Sequence, residues 1–292
     1  MSAAKLKKNY LEPRVELGRI LLELKRFEEA SECFAEALAL KQDDGRILHW
    51  LALAADFQGH DELAAEYYAR SVRARLDSAI TRANWGKLLL RAGDFEAGFR
   101  ESEWRQERQD FNLRYKNKPF WRGEVFSGKR LLVESEQGLG DVIHFCRYLP
   151  LVKRRGGITI FSAWRGLMNL FAGLAGVDIL IEHKSAVVPD IEFDLVVPLL
   201  SLPHIFGTTM STVPQTSPYL TADPQLCSQW RNRLPTDKKF KVGLVWAARM
   251  TNEHSLKRSC GLAVMARLFA IEGVAFVSLQ KGEGEKQCRL ST

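Results

Sequence analysis

The sequence predicts an α-solenoid followed by an α/β region, and three observations support this prediction. The first hundred residues carry a pattern of small and large side chains that recurs every 34 residues, the length of a helix-turn-helix unit that stacks into a solenoid. Apolar strand-like runs then alternate with helical patterns, as in a parallel α/β sheet. A shorter strand, helix and strand follow near the end. A chain of 292 residues, 46% hydrophobic and 26% charged, has room for two or three globular units.

The repeat is predicted over residues 11–110. Small or matching residues hold one register through the three copies: Leu17-Gly18, Leu51-Ala52 and Trp85-Gly86, then Ala30, Ala64 and Gly98. Phe34 and Tyr68 recur as large packing residues of each second helix. The third copy departs from the pattern at Trp104 and Arg105, which predicts that it caps the array against the next domain.

This pattern resembles the tetratricopeptide repeat. The resemblance implies three antiparallel helix pairs and a concave surface for a peptide or protein partner. An alternative stays open, in which the repeats are only a docking platform for the chain's own second domain. Three copies are close to the minimum for a stable array.

A first α/β lobe is predicted over residues 119–223. Strands alternate with helices here, which favours a parallel, doubly wound sheet. The predicted strands are 131–134, 158–161, 177–181 and 193–197, and the predicted helices are 141–155 and 164–174. Residues 198–223 are rich in Pro, Ser and Thr and indicate an irregular connection, followed by a helix over 225–234.

A partial second α/β lobe is predicted over residues 236–292, with a strand at 241–246, a helix at 262–271 and a strand at 274–279. One such unit cannot cover both faces of a parallel sheet. We therefore expect a truncated lobe with exposed apolar surface. Residues 282–292 are predicted as a loop or frayed tail.

The strongest candidate for a site is the stretch from 129 to 150. A buried strand, 131–133, leads into Gly138 and Gly140, and Asp141 follows in the position of a helix N-cap. His144 lies one turn further on. A ligand could approach bare backbone here, at the carboxyl end of a strand.

Two plainer interpretations of this stretch stay open. The glycines and Asp141 also suit a tight turn with a helix cap, and His144 suits a partly buried helix residue. The spacing does not match the dinucleotide-binding fingerprint, which needs a third glycine, nor the phosphate-binding loop that ends in Gly-Lys-Ser/Thr.

Composition limits the partners. The five cysteines are odd in number and form no C-x-x-C pair, so neither a disulfide framework nor a zinc site is predicted, and a reducing cytoplasm is expected. No membrane span is predicted, because the most apolar window, 167–181, is too short. The net charge of +7 divides into −2 before residue 111 and +9 after it. This suits a polyanionic partner or a solvated surface. Nucleic acid is an unlikely partner, because no reading motif is present and the basic residues are scattered.

Several motifs resemble the heptosyltransferase-like family nine glycosyltransferases, which have the two-lobed GT-B fold. They are L-G-D-V-I-H at 139–144, R-Y-L-P at 147–150, V-G-L-V-W at 242–246, L-K-R-S at 256–259 and S-L-Q-K-G at 278–282. With P-F-W-R-G at 119–123 and E-Q-G-L-G-D at 136–141, they resemble the bacterial subgroup in which tetratricopeptide repeats precede such a domain. The likeness covers nearly the whole chain.

The resemblance implies an inverting, metal-independent transfer of a sugar from a nucleotide donor to a glycan or protein acceptor. It implies Asp141 as the general base for the acceptor hydroxyl, with Lys257 and Arg258 at the donor diphosphate. The other implied substrate-binding residues are Gln137, Gly138, Gly140, His144, Trp246, Gln280 and Lys281. No metal or cofactor is expected, since the nucleotide sugar is itself a substrate and no Asp-x-Asp motif occurs.

The sequence also departs from that family. The family's distal second lobe, with an Asp-Ser/Thr loop and a following histidine, has no counterpart after Gly282. We therefore expect this length of chain to be a poor or inactive transferase. The alternative function is a non-catalytic tetratricopeptide repeat scaffold with a degenerate or truncated transferase domain.

Overall fold

The computed structural model describes residues 10–74, 78–108, 114–136, 138–184, 187–215, 217–234, 236, 239–248 and 259–289. The described residues up to Leu220 form one compact unit, and those from Thr221 onward form a second. No helix in these ranges has both the length and the apolar character needed to cross a bilayer.

The repeats fold as three helix pairs, as their register predicts. The helices are α1 Leu11–Glu23, α2 Phe27–Leu40, α3 Gly45–Gln58, α4 Asp61–Arg73, α5 Ala79–Arg91 and α6 Phe95–Ser102, and a short α7, Arg105–Arg108, follows. Phe34 and Tyr68 are fully buried. A Cβ atom on Gly18 would lie 2.5 Å from the Phe34 ring, so the small residue is required for the close approach of α1 and α2.

The first α/β region is a four-stranded parallel sheet. The strands are β1 Arg130–Glu134, β2 Ile158–Ala163, β3 Ile179–Glu182 and β4 Leu195–Pro198, in the order β3-β2-β1-β4. The short helices of this region are α8 Leu139–Phe145, α9 Leu149–Lys153, α10 Met168–Phe171 and α11 Leu202–Ile205. Phe120 adds a parallel bridge to Val196 at the outer edge of β4.

The helix predicted over 141–155 differs from the observed one in two ways. It begins at Leu139, two residues early, and a 3₁₀ turn at Cys146–Tyr148 divides it into α8 and α9. Pro150 explains the division, because it has no N–H to donate to the carbonyl four residues earlier. The helix predicted over 164–174 is also shorter, with a 3₁₀ turn at Arg165–Leu167 before α10.

Two stretches predicted as irregular are partly helical. Within 198–223, a 3₁₀ turn at Leu199–Ser201 leads into α11, because Leu199 and Leu202 are buried in the sheet's core. Within 282–292, a 3₁₀ helix spans Gly282–Arg289. Within this helix the Gln287 side-chain oxygen accepts a hydrogen bond from the Leu262 N–H at 2.7 Å, across 25 residues of sequence.

The second unit contains α12 Pro224–Arg231, β5 Phe240–Leu244, α13 Leu262–Met265, a 3₁₀ stretch Ala266–Ala270 and β6 Val274–Ser278. β5 and β6 pair in parallel. The helix predicted over 262–271 is therefore α-helical only in its first turn. Apolar side chains remain uncovered, and Phe240 and Val264 are each 73% exposed.

Candidate functional site

The strand order creates a switch point between β1 and β4. The chain runs from β1 outward to β2 and β3, and then returns to place β4 on the other side of β1. In open α/β sheets, ligands bind at the carboxyl ends of the strands beside such a reversal. The predicted glycine loop leaves β1 at this edge.

The repeat array reaches into this switch point through Arg105. Its Nε and Nη2 atoms donate to the two carboxylate oxygens of Glu136 at 3.1 and 2.9 Å, and Nη2 also donates to Ser201 Oγ at 3.0 Å. Nη1 donates to the Ser102 carbonyl and to Glu103 Oε1 at 3.1 and 2.8 Å. All five N–H groups of the guanidinium are therefore used, and none is left for a ligand.

The pair formed by Arg105 and Glu136 is buried, with side-chain exposures of 9% and 3%. Burial alone would lower the pKa of Arg105, but the charge of Glu136 raises it above its ordinary value. The departure of the third repeat at Arg105 thus caps the array against the α/β region, as predicted.

A second buried cluster lies at the end of β1. Arg114 donates to Glu134 Oε1 at 2.6 Å, and His183 Nδ1 lies 3.3 Å from the same oxygen. Burial raises the pKa of Glu134, and burial together with the charge of Arg114 lowers the pKa of His183 to about 4.

This cluster is not a nucleophilic triad. Ser162 Oγ lies 3.3 Å from His183 Nδ1, the nitrogen that also faces Glu134. A triad needs the nucleophile and the carboxylate on different ring nitrogens. Ser162 is also fully covered within β2. We assign these residues to the packing of the sheet's edge.

Asp141 lies at the third position of α8 and not at its N-cap, which is Gly138. Its Oδ2 atom accepts a hydrogen bond from the Gly138 N–H at 3.2 Å. In a capping box, this is the bond from the N–H of the N-cap residue to the side chain of the third helical residue. His144 is exposed one turn further on. Partial burial and the charge of Arg147 lower its pKa, while Asp141 acts in the opposite direction.

The two glycines of this loop are not required by the backbone or by packing. Gly138 has a φ of −78°, and a Cβ atom on Gly140 would meet nothing within 4 Å. Their role as open backbone beside a ligand stays a prediction. Gln137 lies outside the described residues.

The other predicted site residues belong to the second unit. Gln280 Oε1 accepts from the N–H groups of Trp246 and Ala247 at 3.0 and 2.8 Å, and its Nε2 donates to the carbonyls of Ala247 and Lys281 at 2.9 and 2.8 Å. The amide is thus fully used in holding the end of β5. Trp246 is buried and Lys281 is exposed.

Lys257 and Arg258 lie outside the described residues. The structure therefore brings together Gly138, Gly140, Asp141 and His144 in the first unit. It brings together Trp246, Gln280 and Lys281 in the second.

A groove that the sequence did not pinpoint crosses the first helix of every repeat. It has a volume of about 470 Å³ and is lined by α1, α3 and the start of α5. Arg19 lies over the Trp50 ring at 5.2 Å, and Arg46 pairs with Glu12 at 3.0 Å. Only the 34-residue register pointed to this surface, because it places the first helices side by side.

No group of three or more His, Cys, Asp or Glu side chains with a metal-binding arrangement occurs among the residues that the structure describes.

Comparison with known proteins supports the repeat. A family model for the tetratricopeptide repeat matches residues 11–44, which contain α1 and α2. Protein FlbA from Caulobacter vibrioides is 25% identical over 297 aligned residues, covering 93% of this chain and 49% of FlbA. The chain thus spans about half the length of this curated relative.

Several solved structures are similar to parts of the chain. MamA is 16% identical with a TM-score of 0.34, covering 39% of this chain and 71% of MamA. YrrB, described as a tetratricopeptide repeat protein with an unusual peptide-binding site, is 15% identical with a TM-score of 0.35, covering 39% and 60%. A mutant O-GlcNAc transferase from Thermobaculum terrenum is 13% identical with a TM-score of 0.33, covering 63% and 42%.

Proposed function

We propose that this chain is a protein-interaction module that binds a peptide or protein partner in the groove of its repeats. The observation that carries the proposal is the groove across α1, α3 and α5, since one helix from every repeat contributes to it. Such concave surfaces are what repeat arrays use for binding.

The side chains of the groove indicate the kind of peptide. Its charges are balanced, because Arg46 pairs with Glu12, and Arg19 lies 2.9 Å from Glu16. Exposed pairs of this kind contribute at most about 1 kcal/mol, so a peptide can displace them. The centre of the groove is apolar, around Trp50. We therefore propose a peptide of low net charge with an apolar anchor.

Ile80→Glu tests this proposal, with Leu63→Glu as its control. Ile80 lines the groove and is 44% exposed, while Leu63 lies on α4, outside the groove, and is 42% exposed. Peptides are selected from a displayed random library on the wild-type chain, and their affinities are measured by titration. Since a charge is placed against the apolar anchor, we expect Ile80→Glu to weaken binding by about tenfold or more. Leu63→Glu should leave binding unchanged.

Two results would contradict the proposal. One is a library from which no peptide is enriched. The other is an equal loss of affinity in both variants, which would show that the selected peptides bind elsewhere.

A second candidate function is glycosyl transfer, and the position of Asp141 favours it. Its Oδ2 atom caps α8, whereas Oδ1 makes no hydrogen bond with the described residues. A carboxylate oxygen at the carboxyl edge of a sheet suits a general base for an acceptor hydroxyl. This proposal includes a nucleotide sugar as donor, a glycan or protein as acceptor, and Lys257 and Arg258 at the donor diphosphate.

Asp141→Asn separates the catalytic role from the capping role. Asn can still accept from the Gly138 N–H, so the free energy of unfolding should change by less than about 1 kcal/mol. Loss of a general base should lower any turnover by about 100-fold or more. The assay is release of nucleoside diphosphate from a panel of sugar nucleotides. Asp94→Asn is the control, because Asp94 also accepts one backbone hydrogen bond at the start of a helix: it is the N-cap of α6 and accepts from the Ala97 N–H at 3.1 Å.

Turnover that falls equally in the two variants, or that survives in Asp141→Asn, would rule out a catalytic role for Asp141. A cytoplasmic location forms part of both proposals. The five cysteines are unpaired, as in a reducing compartment.

A further inference from the structure

A second open site lies beside the closed switch point. It is a cleft of about 840 Å³ between the end of the repeat array, the segment before β1 and helix α11. Its lining includes Glu103, Lys118, Phe120, Arg122, His204 and Ile205. None of these residues belongs to the glycine loop or to the groove of the repeats.

The cleft lies at the edge of the sheet where ligands bind in this class of fold. The Trp121 N–H donates to the Val196 carbonyl at 3.0 Å, and the Val196 N–H donates to the Pro119 carbonyl at 3.2 Å. The segment 119–121 therefore runs parallel to β4 and ends at the same edge. Pro198, the last residue of β4, lines the cleft. Arg105 fills the gap between β1 and β4, where a ligand would bind in this class of fold. The open space lies one strand further out, beside β4 and the segment 119–121.

The charge of the cleft favours an anion. Lys118 and Arg122 line it, and the Arg122 side chain is exposed. The Lys118 ammonium donates to the Phe193 carbonyl at 2.5 Å, so it adds its charge to the cleft while one of its N–H groups is already used. Glu103 is the one carboxylate among the described lining residues. Its two oxygens already accept from Arg105 at 2.8 Å and from Gln106 at 2.6 Å. The positive charges of the cleft are therefore not balanced by a free acid on its walls.

The cleft also has an apolar part. Phe120 and Ile205 line it, and Trp121 forms part of its buried base, where its indole N–H donates to the Glu124 carbonyl at 2.8 Å. A volume of about 840 Å³ lies in the range of small-molecule sites and exceeds what a bare inorganic ion needs. The fitting ligand is an organic anion with a planar or apolar body.

We propose that this cleft binds a small organic phosphate. Arg122 receives the phosphate, Lys118 and His204 lie on the same lining, and the body of the ligand packs against Phe120 and Ile205. Two side-chain cations favour a dianion over a single carboxylate, and the guanidinium fork matches phosphate geometry. The site is independent of Asp141 and of the peptide groove.

Titration calorimetry on the whole chain at low ionic strength tests the proposal. The probes are adenosine diphosphate, glucose 1-phosphate and, as the carboxylate arm, citrate. We expect at least one phosphate to bind with submillimolar affinity and more tightly than citrate. Arg122→Gln should weaken that binding by about tenfold or more, since it removes a charged hydrogen-bond donor.

Two further variants sharpen the result. Arg165→Gln is the control for charge. Arg165 is exposed and lies in the same α/β region, but it does not line the cleft. Its substitution should change the affinity by less than about twofold. Glu124→Gln removes the carboxylate that accepts from the Arg122 N–H at 2.9 Å, but keeps an acceptor there. It should tighten binding by about two- to threefold, since a nearby negative charge is removed.

The proposal is overturned by three results. They are no binding of either phosphate at millimolar concentration, citrate binding as tightly as the phosphates, and an equal loss in Arg122→Gln and Arg165→Gln. Circular dichroism of each variant confirms that it is folded. Because both substituted arginines are exposed, no change of fold is expected.

Discussion

Replacing Arg105 with methionine tests the contact between the repeat array and the sheet. Methionine keeps much of the length of the side chain and removes its five hydrogen bonds. The Glu136 carboxylate, 3% exposed, is then left with the Leu200 N–H at 3.2 Å. Removing one partner of a buried pair costs about 3–5 kcal/mol, because the other charge stays buried. That is about a fifth or more of the stability of a typical domain, which is about 5–15 kcal/mol.

Urea unfolding followed by circular dichroism measures this cost. Arg91→Met is the matched control, because Arg91 pairs with Asp56 and Asp61 at 2.7 and 2.6 Å while its side chain is 51% exposed. The control should lose less than about 1 kcal/mol. Adding Glu136→Gln to Arg105→Met should recover much of the loss, since the uncompensated charge is gone.

A cost for Arg105→Met no larger than the cost for Arg91→Met would contradict this expectation. A double variant as unstable as the single one would contradict it as well. Either result would show that water reaches the Glu136 carboxylate, and that the switch point is open in solution.

The remaining predictions concern burial, backbone and domain contacts. Burial lowers the pKa of His49 from 6.5 to about 4, so its contribution to stability is complete above pH 6.5 and is lost as the pH falls toward 4. This contribution amounts to about 3 kcal/mol. When the free energy of unfolding is measured against pH, His49→Gln should reduce the proton uptake on unfolding between pH 4 and pH 6.5 by about one proton. Gly176→Ala should destabilise by about 3 kcal/mol or more, because its Cβ would lie 2.5 Å from the Leu149 backbone at a φ of +88°. Gly173→Ala, with a φ of +75° and open space, should cost about 1–2 kcal/mol. Urea unfolding followed by circular dichroism measures both glycine variants. A fragment of residues 114–220, which lacks Arg105, should unfold at lower urea than residues 10–220; equal midpoints would contradict this.

The sequence predicts the repeats well because periodicity reports packing directly. A residue that recurs every 34 positions faces the same neighbours in each copy, and Ala30 and Ala64 are both fully buried. The ends of the elements are predicted less well. β4 was expected at 193–197 and lies at Leu195–Pro198, because strand ends depend on hydrogen bonds to neighbours that are distant in sequence.

The sequence predicts the position of the candidate site in the fold, but not the hydrogen bonds and ion pairs of its residues. The glycine loop does leave β1 at the carboxyl edge, since a buried apolar run followed by glycines marks that edge. The N-cap assignment of Asp141 was wrong, because Gly138 begins the helix and Asp141 returns a bond to it. The partner of Glu136 lies 31 residues away, and ion pairs at such distances leave no periodic signal. The one available sign was a pair of glutamates, Glu134 and Glu136, at the end of an apolar strand.

The contact through Arg105 also bears on the two interpretations of the repeats. Docking onto the α/β region uses the end of the array, since Arg105 follows α6 and α6 contacts α11. The peptide groove uses α1, α3 and the start of α5, and Ile80 on its lining is exposed. The docking contact and the proposed partner-binding groove therefore occupy different parts of the same three repeats. The two roles are compatible, and loss of peptide binding in Ile80→Glu should leave the stability of the Arg105 contact unchanged.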